Sequence, residues 1–163
     1  MADLGRLAIC LALLFAAYSV VVSLVGVRRR RTDLVKSGEY AAYAVFGLVL
    51  VAVLILLRAL LQHDFSLEYV AAYSSSTLPT QYIFAALWGG QKGSLLFWSF
   101  MLTLFTTLVE WQNRDRNRDL MPYVTATMMT VAVFFLGMVT FITDPFERLP
   151  IPAHEGADLN PLL

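Results

Sequence analysis

From Leu7 to Val27 the chain carries no charged residue. The hydrocarbon core of a bilayer, about 30 Å thick, takes about 20 apolar helical residues to cross. A stretch of this kind must therefore be a membrane span or a deeply buried helix, and three more follow it. Tyr40 to Leu61 is a second apolar run, in which Arg58 lies near enough to the end to snorkel to the headgroups. Pro122 to Ile142 is the cleanest, with Pro122 suited to a first helical turn. The remaining run, Gln81 to Trp111, is interrupted by Trp88-Gly89-Gly90-Gln91-Lys92-Gly93-Ser94. Such a polar break suits the interface better than lipid tails. The pattern predicts a short interfacial helix over 81–87 and a span over 94–111, with Ser94 as N-cap. Trp98 and Trp111 then face opposite aromatic belts.

Composition decides between a membrane and a soluble core. Of 163 residues, 58% are hydrophobic and 15% charged, against about 45–50% and about 25% in soluble domains. So small a soluble protein cannot bury that much apolar surface. The chain is thus expected to be all-α and polytopic, one membrane domain over 1–163 with spans at about 7–27, 40–61, 94–111 and 122–142. The first run is too long for a signal peptide, lacks a small-residue cleavage site, and has its positive charge after it.

The formal net charge of zero conceals segregation. Loop 28–38 holds Arg28, Arg29, Arg30, Arg31 and Lys36, and loop 112–120 holds Arg114, Arg116 and Arg118. The segment from Gln62 to Thr80 has no Lys or Arg, and that from Thr143 to Leu163 only Arg148. Both basic loops fall on one side of a four-span chain, which the positive-inside rule makes cytoplasmic, with both chain ends outside. These arginines are expected to be solvated against lipid headgroups. No groove or aromatic interleaving accompanies them, so nucleic acid is excluded as a partner.

The outer segments carry the unusual sequence. Asp64-Phe65-Ser66-Leu67-Glu68-Tyr69-Val70 alternates polar and apolar residues, as an extended, half-buried stretch does. In Trp88–Ser94, the glycines permit positive φ and close backbone approach. Free N–H groups at a helix start, beside Lys92, are suited to a carboxylate or a phosphate; a plain interfacial turn with a snorkelling Lys92 is the alternative. His63 and His154 each stand alone, without the partner at helical spacing that a metal site offers. Asp64, Glu68, Asp144, Glu147, Glu155 and Asp158 also lie outside, and no acid is expected within a span. No nucleophile–base pair appears. The single cysteine, Cys10, has no partner for a disulfide and is expected to be a small buried hydrophobe.

The stretch DFSLEYVAAYSSSTLPTQYIFAALWGGQKGSLLFW, residues 64–98, resembles a segment near the N-terminus of the CcmF/NrfE haem lyases. Those proteins carry a DFS-x-x-YVA segment, a serine-rich piece ending in LP, and a W-G-G-[HQ]-E-G-S-L-L-x-W motif. The tail DPFERLPIPAHEGADLNPLL, residues 144–163, is similar to the family's NPF-x-RL…G-x-DLNPLL segment. The resemblance implies a multi-pass protein of the cytoplasmic (inner) membrane, working at its outer face in cytochrome c maturation. Its relatives receive haem from a haem chaperone and attach it covalently to apocytochrome c, which partner subunits present. A haem b within the membrane part assists them.

Two departures from the family qualify what carries over. Lys92 stands where the family has glutamate, and the tryptophan-rich motif and ligating histidines of the family have no counterpart here. The resemblance therefore implies the N-terminal portion of a lyase, split or truncated, that is not catalytic alone. It takes haem b only in the complete assembly, through ligands outside this chain. Its partners are the remaining lyase segment or subunits, the haem chaperone, apocytochrome c and the bilayer. Trp88, Gly89, Gly90, Gln91, Gly93 and Ser94 would shape a haem-facing outer turn, and Pro145, Phe146, Arg148, Asp158, Leu159, Asn160 and Pro161 a matching tail. No residue is expected to be catalytic or to ligate a metal. Two other functions remain open: a small structural subunit of a respiratory or assembly complex, and a fragment of a haem or small-molecule transporter. The second would need polar residues along a midplane path, and the four spans show very few.

Overall fold

The computed structural model describes residues 1–151 and 153–157. Six helices follow in order: α1 (Ala2–Arg28), α2 (Thr32–Leu61), α3 (Glu68–Tyr73), α4 (Thr80–Gly89), α5 (Gln91–Gln112) and α6 (Met121–Phe141). Among the described residues α1, α2, α5 and α6 are long and apolar enough to cross a membrane. They form a ring in which α1 packs on α2, α2 on α5, α5 on α6, and α6 back on α1. The bundle thus has two ends. One carries the turns 29–31 and 113–120, here called the arginine end. The other carries the start of α1, helices α3 and α4, and the tail after α6, here called the tail end.

Several helix ends differ from the sequence-based expectation, although α2 ends at Leu61 as expected. α2 starts at Thr32 rather than near Tyr40, so the first basic turn shrinks to Arg29, Arg30 and Arg31, with Lys36 on the helix. Asp33 in the first turn favours this start, because a carboxylate suits the positive end of the helix dipole. α5 starts at Gln91, not Ser94, and its N-cap is Gly90. Ser94 instead donates its hydroxyl to the Trp88 carbonyl at 2.6 Å. Its 22 residues make α5 about 33 Å long, enough to span without its polar first turn in hydrocarbon. Residues 68–73 are helical, not extended; among the described residues pairing is confined to one antiparallel bridge between Leu67 and Arg148. Alternation over so few residues also suits a short helix docked on one face.

The inner face of α1 is built almost entirely of small residues: Gly5, Ala8, Ala12, Ala16, Ser19, Ser23 and Gly26 are all buried. They let α2 approach closely, the packing that drives helix association in lipid, where no hydrophobic effect operates. Ser19 donates to the Gly38 carbonyl across the seam at 2.7 Å. A Cβ at Gly38 would collide with Ser23, whereas one at Gly47 would meet nothing within 4 Å. The large apolar side chains of α1, among them Leu7, Leu14, Phe15 and Val21, point outward, where lipid takes the place of a core.

The interior is more polar than hydropathy suggests. On α5, Ser99, Thr103, Thr106 and Glu110 are all buried on one face. The three hydroxyls are satisfied by carbonyls of their own helix, including Ser99 to Leu95 at 2.8 Å and Thr106 to Leu102 at 2.8 Å. An averaged hydropathy conceals a one-sided stripe of this kind. Glu110, 3% exposed, overturns the expectation that no acid lies within a span. It accepts a hydrogen bond from Thr125 of α6 at 2.9 Å. Its place two residues before the end of α5 explains the miss, since in sequence it belongs as well to the following polar turn.

A paired substitution tests the α1–α2 seam. Gly38→Leu is expected to destabilise the bundle by about 1–3 kcal/mol through overpacking. Gly47→Ala should stabilise it by about 0.4–1 kcal/mol, because alanine lowers unfolded-state entropy. Unfolding titrations in mixed detergent micelles measure both.

Candidate functional site

At the tail end three segments far apart in sequence are fastened together. Lys92, in the first turn of α5, donates to Glu68 at 2.8 Å and to Glu147 at 2.7 Å. It thereby clips α3 and the tail to the mouth of the bundle. Backbone bonds run alongside, from Glu68 N–H to the Glu147 carbonyl and from Leu149 N–H to the Ser66 carbonyl, both at 3.0 Å. Two further ion pairs tie the tail to α1, Arg6–Asp144 at 2.5 Å and Arg148–Asp3 at 2.6 Å. Beneath them Phe146 is 1% exposed, and its ring fills the notch left by Gly5 of α1, where any Cβ would collide with it.

The turn before α5 is held from below by Tyr69. Its phenol donates to the Ala86 carbonyl at 2.8 Å and accepts from the Gly90 N–H at 3.2 Å. Burial pushes this phenol up to about 12, so it stays protonated as a donor. Tyr73 lies beside it, ring centroids 4.8 Å apart. A Cβ at Gly90 would collide with Tyr73, and one at Gly93 with Tyr69 and the Leu87 carbonyl. Close approach therefore explains these glycines. No described glycine has positive φ; Gly90 is extended at φ −121, ψ 164.

The tail is latched once more beyond the bend. Ser76 donates its N–H and its hydroxyl to the two carboxylate oxygens of Glu155, both at 2.8 Å. Ala157 N–H reaches the Ala71 carbonyl at 2.7 Å. The two Ser76 donors, with the Gly156 N–H at 3.1 Å, hold the Glu155 carboxyl below its ordinary range. The Lys92 ammonium does the same for Glu147.

Of the residues singled out from sequence, Trp88 (50% exposed), Gly89 and Gln91 face outward, while Gly90 and Gly93 are buried and Ser94 is half-buried. Trp88, Ser94, Phe97 and Trp98 line a shallow aromatic groove, with the Trp88 and Phe97 ring centroids 5.6 Å apart. Pro145 and Phe146 are buried anchors, and Arg148 is an exposed ion-pair partner. Asp158, Leu159, Asn160 and Pro161 lie outside the described residues. Lys92 is engaged by two carboxylates rather than standing free for an anion, so the residue that departs from the family's glutamate is neutralised in place. Tyr69, Asp3, Arg6 and the Glu155 latch had no signal in spacing or composition; each works through a partner at least 17 positions away.

Haem iron is most often held by an imidazole, and in some proteins by a thiolate, a thioether or a phenolate. His63 sits at the end of α2, with Nδ1 3.4 Å from the Ser74 hydroxyl and its ring 5.9 Å from Phe65. His154 is exposed on the tail, and Cys10 is half-buried on α1. Among the described residues no three His, Cys, Asp or Glu side chains gather as a metal site. Neither the two histidines nor Cys10 is placed as a haem-iron ligand.

No family model matches the chain. Individual proteins do. The chain is 38% identical over 164 residues to the cytochrome c-type biogenesis protein CcmF of Escherichia coli K12, covering 100% of this chain and 25% of that protein. It is 37% identical to CcmF of Pseudomonas fluorescens over 163 residues. It is 38% identical over 138 residues to the probable cytochrome c-type biogenesis protein NrfE of E. coli K12. A solved structure titled cytochrome c heme lyase CcmF superposes with a TM-score of 0.83 at 32% identity, over 90% of this chain and 24% of that one. The chain thus spans about a quarter of the length of the relatives it matches.

Two measurements probe the clip and the latch. Lys92→Gln should loosen the tail, so that trypsin cuts after Arg148 faster by about threefold or more, the rate following the opened population. The latch depends on pH with a definite sign. Glu155 and Glu147 have folded pKa values below their unfolded ones, so their contribution is complete above the ordinary carboxylate range, about 4.3. It is lost as pH falls through the lowered values. Exchange protection of the Ser76 and Gly156 amides should stay constant from neutral pH to the edge of that range, then decline progressively as pH falls further towards the lowered values.

Proposed function

The chain is related over most of its length to the CcmF/NrfE-type cytochrome c-type biogenesis proteins, and from this we propose that it is a membrane component of cytochrome c maturation that takes part in haem handling. The observation that carries the reading is that relatedness runs through the whole bundle rather than through one motif. The two stretches that resemble the family, 64–98 and 144–163, are joined in the fold by Lys92 of the first, which donates to Glu147 of the second.

In this reading the tail end is the outer, extracytoplasmic face, consistent with the bias of basic residues towards the other end. The four spans form one membrane unit of a larger lyase, as a segment or a separate subunit. The groove of Trp88, Ser94, Phe97 and Trp98 offers a flat aromatic surface beside the mouth of the bundle. Such a surface suits a planar, amphipathic ligand such as haem, or the partner that carries it. The rigid platform of α3, α4 and tail positions the groove and supplies no reacting group. Haem b, the haem chaperone and apocytochrome c belong to the complete assembly, and the bond-forming chemistry lies with the rest of it.

Reconstitution tests this directly. The chain is co-expressed with the remaining three-quarters of a lyase from which the matching segment has been removed. The readout is covalent haem on a reporter cytochrome c, stained after denaturing electrophoresis. Holocytochrome should form only when both parts are present, and full activity without residues 1–163 would refute the proposal. Trp88→Ala should lower the yield while leaving co-purification of the two parts intact.

A further inference from the structure

The arginine end holds a cleft that the maturation role does not use. Residues of three segments line it: Gly26 and Val27 at the end of α1, Arg30, Arg31, Thr32 and Val35 around the first turn, and Arg118, Asp119, Pro122 and Tyr123 before and within α6. Its floor is apolar and its rim cationic. Arg31 reaches Asp33 only at 3.6 Å, and Arg118 shares its charge with Glu39 at 3.2 Å. Arg30 has no ion-pair partner among the described residues. This end as a whole carries eight Lys and Arg against five carboxylates, namely Asp33, Glu39, Glu110, Asp115 and Asp119. The excess of three cations belongs to the end as a whole; within the cleft Asp119, Asp33 and Glu39 stand beside the three arginines, and Arg30 is the one without an ion-pair partner among the described residues.

Tyr123 belongs to two features at once. It closes the cleft, and it opens a shallow furrow along the lipid-facing side of α6, lined by Tyr123, Val124, Thr127 and Met128. A cationic seat that continues into an apolar furrow along a transmembrane helix has the shape of one phospholipid, phosphate above and acyl chain below. A soluble anion would need the seat alone. Arginine forks suit a phosphate diester, and basic pockets between transmembrane helices are favoured sites for anionic headgroups.

We propose that this cleft and furrow form a site for one anionic phospholipid of the adjoining leaflet, its phosphate held by Arg30, Arg31 and Arg118 and an acyl chain lying along α6. The lipid would bridge the α1–α2 turn to the start of α6. Apart from the Arg118–Glu39 pair, those two segments are joined at this end by few polar contacts.

The whole chain is placed in phosphatidylcholine nanodiscs containing about a tenth phosphatidylglycerol, extracted gently, and its retained lipid counted by native mass spectrometry. The wild type should retain one phosphatidylglycerol with about fivefold or greater preference over phosphatidylcholine, each basic group near a membrane surface being worth about that factor. The double variant Arg30→Gln, Arg31→Gln lies in an exposed turn and should lose the preference. Arg114→Gln, Arg116→Gln, at the same end but outside the cleft, should keep it. Thr127→Trp fills the furrow from the lipid side without touching any charge and should also lose it. Equal loss from both arginine pairs would mean a diffuse surface field and overturn the site. So would full retention in Thr127→Trp, or displacement of the lipid by inorganic phosphate, since either would make the seat one for a free anion.

Discussion

A peptide N–H or C=O left unpaired in hydrocarbon costs several kcal/mol, so backbone at that depth must satisfy itself. Four of the six helices do this over lengths that match a bilayer. The rest of the architecture follows from where the remaining backbone can go. Every turn, the short helices α3 and α4, and the described tail are gathered at the two ends, where water or headgroups complete their hydrogen bonds. The hydroxyls inside obey the same rule. Ser99, Thr103 and Thr106 can be buried because each returns its proton to a carbonyl one turn earlier.

Lipid gives apolar side chains no reason to prefer the interior, and the bundle shows it. Its bulky residues largely face outward on α1, and its inner seam is lined with glycine, alanine and serine. Cohesion comes from backbone approach and a few directed bonds such as Ser19 to Gly38. At the tail end, where water competes, the means of attachment change. There the tail is held by ion pairs, by a buried Phe146 and by carboxylates accepting backbone donors. Lys92 illustrates the difference. On one helix, with no partners, it would be an ammonium at the edge of hydrocarbon. Between Glu68 and Glu147 it becomes the piece that joins α3, α5 and the tail.

The two ends also differ in sign. The arginine end keeps an excess of cations around an open cleft, whereas at the tail end Arg6, Lys92 and Arg148 are each paired with carboxylates and aromatic surface is presented instead. A net charge of zero for the chain conceals both facts.

Much of the frame was legible in the sequence. Apolar length, the placement of arginines and the interruption over 88–94 are one-dimensional properties, and they located four spans, an interfacial helix and two unlike ends. The motifs over 64–98 and 144–163 also pointed to the CcmF and NrfE proteins to which the chain is similar. Boundaries were less legible, because a polar first turn such as Thr32 to Lys36 or Gln91 to Gly93 is helical yet not apolar. Glu110 was lost for the same reason, being a charged residue on the last turn of a span. What only the tertiary structure decided was partnership. Phe146 needs Gly5 and Arg6 needs Asp144, with some 140 residues between the members of each pair; Lys92 needs Glu68 and Glu147, and Glu155 needs Ser76. A span is determined by the residues within it, but a contact depends on two segments meeting, and that meeting is set by how the four helices pack.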